Sequence, residues 1–160
     1  MINLDELAKF LVKAKTQTYA GDGKEVPAQR PGFKELEFIE GDWEYRDSYS
    51  GFFFAPGQEV VRYKVKPVWA MAYSGGMNEK YHGDVDFAKK TFGFLKEALK
   101  QVHESRPFRG PEYFEQGDFE YIDKSMGDIR SFKGIERILY KGEEVFRQDY
   151  IGGLILSKQA

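Results

Sequence analysis

Residues 41–51 read GDWEYRDSYSG, and residues 117–127 read GDFEYIDKSMG. The correspondence extends in both directions. Upstream, Arg30-Pro31 falls on Arg106-Pro107 and Phe38 on Phe114. Downstream, after one inserted residue, Gly57 meets Gly134, Glu59 meets Glu136, and Tyr63-Lys64 meets Tyr140-Lys141. Val68-Trp69 then meets Val145-Phe146, Tyr73 meets Tyr150, and Gly75-Gly76 meets Gly152-Gly153. Chance similarity of two β-rich segments gives a few Gly and Tyr matches. It does not give this many, in order, with a single one-residue gap. An internal duplication is therefore expected, and two copies are too few for a solenoid.

Each copy pairs a helix with a run of strands. Asn3 and Glu6 have capping-box spacing, with Asn in place of Ser or Thr. Leu4, Leu7, Ala8, Leu11 and Ala14 then recur at helical spacing, which predicts a helix over about 4–15. Residues 19–35 are rich in Gly and Pro and read as a long loop. Strands follow at 36–39, 43–49, 58–64 and 68–74, with a turn at Val65-Lys66-Pro67 and a stop at Gly75-Gly76. Ala88, Phe92, Leu95, Leu99 and Val102 form the stripe of a second helix over about 84–104. Strand patterning returns at 113–114, 119–123, 135–141 and 144–150. The fold class expected is α+β: internally duplicated α-ββββ units, antiparallel sheets with two helices packed on them, the sheets joined or facing each other. The domain expected is a single one over 1–160, made of repeats at about 1–76 and 77–154.

Composition narrows the chemistry. The chain of 160 residues carries 24 basic and 26 acidic side chains for a net charge of −2, and 16% aromatics. Near-neutral charge argues against direct nucleic-acid binding, which needs a basic stripe. The absence of cysteine excludes disulfides, zinc–thiolate sites and cysteine nucleophiles. The two histidines, His82 and His103, lie far apart, so no metal site and no cofactor are expected. The N-terminus is amphipathic rather than a signal peptide, and no stretch approaches about 18 apolar residues, so no membrane span is expected and a cytoplasmic location is the default.

Strand alternation sorts the side chains into faces. One face of the first copy collects Trp43, Tyr45, Asp47, Glu59, Tyr63, Trp69, Met71 and Tyr73. The same face of the second collects Phe119, Tyr121, Asp123, Glu136, Tyr140, Phe146, Gln148 and Tyr150. Aromatic walls around a carboxylate suit an aromatic or cationic small molecule, and those eight first-copy residues are the candidate ligand-binding set. The competing reading is a closed core in which Asp47 and Glu59 accept bonds from a Tyr hydroxyl or an Arg. The exchange of Trp43, Trp69 and Met71 for Phe119, Phe146 and Gln148 makes the first copy the better-lined one. Arg30 and Arg106 are expected to anchor their loops to a carboxylate such as Asp47 or Asp123. Gly21-Asp22-Gly23-Lys24 reads as a flexible loop, and Asp42 and Asp118 as turn residues. No catalytic residue is assigned.

The stretches FLVKAKTQTYAGDG (10–23), GDWEYRDSY (41–49) and GQEVVRYKVKPVWAMAYSG (57–75) resemble the prokaryotic family DUF5680, a domain of unknown function. In that family the domain occurs alone or behind a helix-turn-helix DNA-binding domain, and this chain resembles the stand-alone form. The resemblance implies an effector-like or interaction role by association with transcription regulation. A more distant similarity, of architecture only, is to the effector-binding domains of multidrug-responsive regulators, from which this chain departs in its longer sheet run after each helix. Three functions follow as expectations: a non-enzymatic small-molecule-binding or sensory module, a homodimeric interaction module, and a hydrolase using Asp47 and Glu59.

Overall fold

Asn3 starts the first helix, because its side chain accepts from the backbone N–H groups of Asp5 and Glu6, donors that a helix start leaves without partners. In the computed structural model, which describes residues 2–158, this helix, α1, runs over Leu4–Gln17. Met1, Gln159 and Ala160, at the ends of the expected domain, lie outside the described residues. α1 buries Leu7, Ala8, Phe10, Leu11 and Ala14, and also Lys15. Asp84 caps the second helix, α2, over Val85–Leu99 by accepting from Phe87 N–H. α2 stops five residues short of the expected Glu104. Beyond it Gln101 and Val102 bond to the carbonyls of Ala98 and Leu99. The chain then turns and delivers Phe108 and Arg109 into the interior, where both are buried.

The strands are β1 (Glu25–Val26), β2 (Lys34–Glu40), β3 (Trp43–Tyr49), β4 (Gly57–Tyr63) and β5 (Lys66–Met77), then β6 (Tyr113–Gln116), β7 (Phe119–Asp128), β8 (Ser131–Tyr140) and β9 (Glu143–Leu154). They form one continuous antiparallel sheet of nine strands in the order β1-β2-β3-β4-β5-β9-β8-β7-β6. β5 and β9 meet at its centre, with Tyr73 directly opposite Tyr150. Register shifts fall between Val61 and Arg62 on β4 and between Ile138 and Leu139 on β8.

β1 lies inside the stretch expected as a loop, β7 and β8 run beyond their expected bounds, and two expected punctuation points differ. The β4–β5 turn is two residues, Lys64-Val65, both with positive φ (47° and 61°), and the β8–β9 turn is Lys141-Gly142 (51° and 81°). This two-residue form matches the twist of the flanking strands, so β5 begins at Lys66, and Pro67 lies inside it. Gly75-Gly76 does not stop the sheet; β5 continues through it, pairing with Gln148 and Arg147 of β9. The glycines serve close approach instead. A side chain on Gly76 would overlap the Phe53 carbonyl, and the 50–56 loop docks there through Met77 N–H to Phe53 O at 2.7 Å.

α1 packs on β2 and β3, and α2 on β6 and β7. Both cover the face that carries Tyr45, Val61, Trp69, Tyr121, Ile138 and Phe146. Among the described residues no helix packs on the opposite face, which carries Arg46, Arg62, Lys124 and Lys133. Among the described residues no helix is long and apolar enough to cross a membrane.

Candidate functional site

A layer of polar side chains runs through the covered face of the sheet. Asp47 and Glu59 are neighbours across β3 and β4, Asp123 and Glu136 across β7 and β8, and Gln148 flanks Glu136 on β9. All five are buried. Burying carboxylates is costly unless each finds a partner.

The two glutamates find cations. Lys15 of α1 forms an ion pair with Glu59. Arg109 donates from Nε to Glu136 Oε1 (2.9 Å) and forms an ion pair with the same oxygen through Nη2 (2.7 Å), with Nη1 3.7 Å from Glu59. Tyr121 donates to Glu136 Oε2 at 2.7 Å, and Gln148 to Oε1 at 2.9 Å. Burial pulls both cations toward the neutral form. For Lys15 it wins and the pKa is lowered; for Arg109 the surrounding groups, Glu136 foremost and Glu59 next, together outweigh it and the pKa is raised.

The two aspartates are treated differently. Each accepts from a tyrosine two strands away: Tyr73 to Asp47 at 2.7 Å and Tyr150 to Asp123 at 2.8 Å. Each ring crosses a glycine on the intervening strand, Gly57 or Gly134, where a side chain would overlap the tyrosine. Asp123 also receives Arg106 Nη2 at 2.9 Å. Arg30, its counterpart before proline, bonds instead to Gln58 at 2.7 Å. Among the described residues Asp47 has no ion pair. Burial, followed by the nearby Glu59 carboxylate, pushes Asp47 up to about 7, and Arg109 and Lys15 offset only part of this. Asp123 is likewise pushed to about 7, by burial and then by Glu136.

Asp47 forms part of the floor of a cleft of about 430 Å³ between α2 and the sheet, beside Tyr73, Arg109 and Gln148. Tyr19 and Tyr49 form one aromatic group on its wall, and Phe52, Phe92 and Phe146 another. Lys34, Lys89, Lys96, Asp22 and Glu97 also line it. This is within the size range of small-molecule sites. A separate void of about 20 Å³, room for about one water, is lined by Lys15, Tyr45, Asp47, Glu59 and Arg109 among others. The 21–24 segment, which its sequence marks as a flexible loop, is tied to α2 by the Asp22–Lys96 ion pair.

Of the eight residues singled out from sequence, Asp47 and Tyr73 line the cleft. Tyr45 and Glu59 line the small void. Trp43 and Tyr63 pack on each other (ring centroids 4.6 Å apart), and Trp43 stacks on Phe10 of α1. Trp69 and Met71 are fully buried in the core under α1. The hydrolase alternative needs Asp47 and Glu59 in one opening; they are adjacent, but Asp47 lines the cleft and Glu59 does not, and the two share the small void with Lys15 and Arg109. Arg109 was not anticipated, since nothing in its local sequence marks it. Phe146 and Gln148 were seen only as replacements for Trp69 and Met71. Among the described residues no group of His, Asp and Glu is arranged to hold a metal ion.

The fold and site define an α+β domain with one broad antiparallel sheet and a carboxylate-floored cleft under its second helix. The family model for DUF5680, a domain of unknown function, matches residues 47–155, more than half of the chain. The chain belongs to that family. No curated protein and no solved structure matches it.

Proposed function

We propose that this domain is a non-enzymatic binding module for a small organic cation, with a sensory or effector-binding-like role. One observation carries the reading. Two Tyr–Asp pairs share their geometry; in one, Arg106 pairs with the aspartate, and in the other the aspartate faces a cleft. A ligand cation beside Asp47 takes the place that Arg106 holds beside Asp123. Aromatic rings around such a cation add cation–π attraction. The four carboxylates of the layer (Asp47, Glu59, Asp123, Glu136) meet two buried cations, Lys15 and Arg109, and the partly exposed Arg106, and among the described residues Asp47 is the one of the four without an ion pair.

The same comparison bears on the internal duplication, which we read as the origin of the fold. The mirrored order of β2-β3-β4-β5 and β9-β8-β7-β6, the matching register shifts on β4 and β8, and the Tyr73–Tyr150 pairing support it. On this reading the domain spans two copies, one keeping its arginine on the aspartate and the other leaving the place open.

A thermal-shift screen with small organic cations tests the function, since a ligand that binds only the native state raises apparent stability. Wild type should respond, and Asp47→Asn should not. No response to any cation, or an equal response in Asp47→Asn, would sink the reading.

A second reading, the homodimer, has its own observation. The uncovered face holds a shallow groove of about 650 Å³ flanked by Met126 and Ile151, which are 68% and 61% exposed. Light scattering tests it: a dimer that Ile151→Lys dissociates supports this reading, and a monomer at high concentration excludes it.

A further inference from the structure

Gly93 lies in the interior of α2, where glycine is unfavourable relative to alanine. The other glycines have a structural reason. They adopt positive φ, or a side chain there would strike a neighbour. Gly93 has neither: its φ is ordinary and an added Cβ would meet open space. That open space is the cleft, because Gly93 lines it with Lys89, Phe92 and Lys96 on one stripe of the helix. A bare helix backbone facing a cavity lets a flat group approach closely.

We propose, building on the cation-binding reading above, that the occupant is a planar aromatic monocation. Its ring lies against the α2 backbone at Gly93, and its charged group reaches Asp47. Phe92 and Phe146, 6.4 Å apart edge-to-face, supply aromatic wall for such a ring. The single charge follows from the lining: among the described residues Asp47 is the lining carboxylate without an ion pair, whereas Asp22 and Glu97 are already paired with Lys96 and Lys100, and Lys89 adds a further positive charge that disfavours a second cation.

Calorimetric titration with benzamidine, acetamidine and benzamide tests this. Benzamidine is planar, aromatic and cationic; acetamidine lacks the ring and benzamide the charge. Wild type should bind benzamidine at least about tenfold more tightly than either of the others. Gly93→Leu, which fills the open space without touching the core, should weaken benzamidine at least about tenfold and leave acetamidine unchanged, with no fall in melting temperature. Gly93→Ala, the smaller change, should give an intermediate loss. Equal affinity of benzamidine and acetamidine for wild type, or undiminished benzamidine binding in both Gly93 variants, would overturn the planar-ring proposal while leaving cation binding at Asp47 in place. If neither cation binds wild type, the cation-binding reading fails and this inference falls with it.

Discussion

Tyr73 and Tyr150 face each other where β5 pairs with β9, and each sends its hydroxyl outward to an aspartate two strands away. Gly57 and Gly134 lie beneath the two rings on the intervening strands. A methyl group at either glycine would occupy the tyrosine's place. Gly57→Ala and Gly134→Ala should therefore displace the ring and break the bond to the aspartate, at a cost of about 1–3 kcal/mol each. Urea unfolding measures this; a loss below about 0.5 kcal/mol, the range of ordinary surface changes, would show that the ring is not held there.

The two aspartates set a pH dependence of unusual sign. An unfolded aspartate titrates near about 3.9, whereas folded Asp47 and Asp123 titrate at about 7. Between those values the native state holds protons that the unfolded chain has released. Their contribution to stability therefore falls as pH rises through the window, and the loss is complete above the folded value. At about 1.4 kcal/mol per pH unit, each carboxyl contributes at most a few kcal/mol. Asp47→Asn keeps an oxygen for Tyr73 and removes one of the two charges. Its melting temperature should exceed that of wild type at pH 8 and approach it at pH 4. The opposite ordering at pH 8 would contradict the buried, unpaired state of Asp47.

Arg109 holds the glutamates of the two halves of the sheet together, at 2.7 Å from Glu136 and 3.7 Å from Glu59. Removing one partner of a buried ion pair typically costs about 3–5 kcal/mol. Arg109→Met should show a loss of this order in urea unfolding, and the double variant with Glu136→Gln should recover part of it. Simple additivity of the two losses would show that the residues do not act as a pair.

Val65 pays for its place in the β4–β5 turn. It is β-branched, 84% exposed, and held at φ 61°, where the equivalent turn on the other side of the sheet has Gly142. Its side chain has little packing to lose. Val65→Gly should stabilise the protein by about 1 kcal/mol, because the left-handed conformation costs a non-glycine residue about that much. Gly142→Val should destabilise by a similar amount. Chemical denaturation of the two variants checks both signs.

The elements were legible in sequence because their signals are local: the cap at Asn3, the apolar stripes, and period-two patterning broken by turn residues. The α+β class and the inward placement of Asp47, Glu59 and the aromatic residues followed from alternation alone. What the alternation cannot give is closure. Trp69 and Met71 share a face with Asp47, yet α1 covers them and leaves Asp47 at an opening. Arg109 arrives from a loop far along the chain, so no spacing announces it. Arg30 and Arg106 look alike in sequence, and only the structure separates the one on Gln58 from the one on Asp123. The glycine pair at 75–76 was read as a breaker, because a close approach by the 50–56 loop leaves no mark in the local pattern.

Carbon-13 NMR titration of the Asp47 carboxyl, with and without benzamidine, tests cation binding most directly. A midpoint near 7 is expected in the free protein. With benzamidine bound it should fall below its free-state value, because a neighbouring cation favours the ionised form. A free-state midpoint near the ordinary value of about 3.9, or a midpoint that benzamidine at saturating concentration leaves unmoved, would contradict an unpaired carboxylate waiting for a cation.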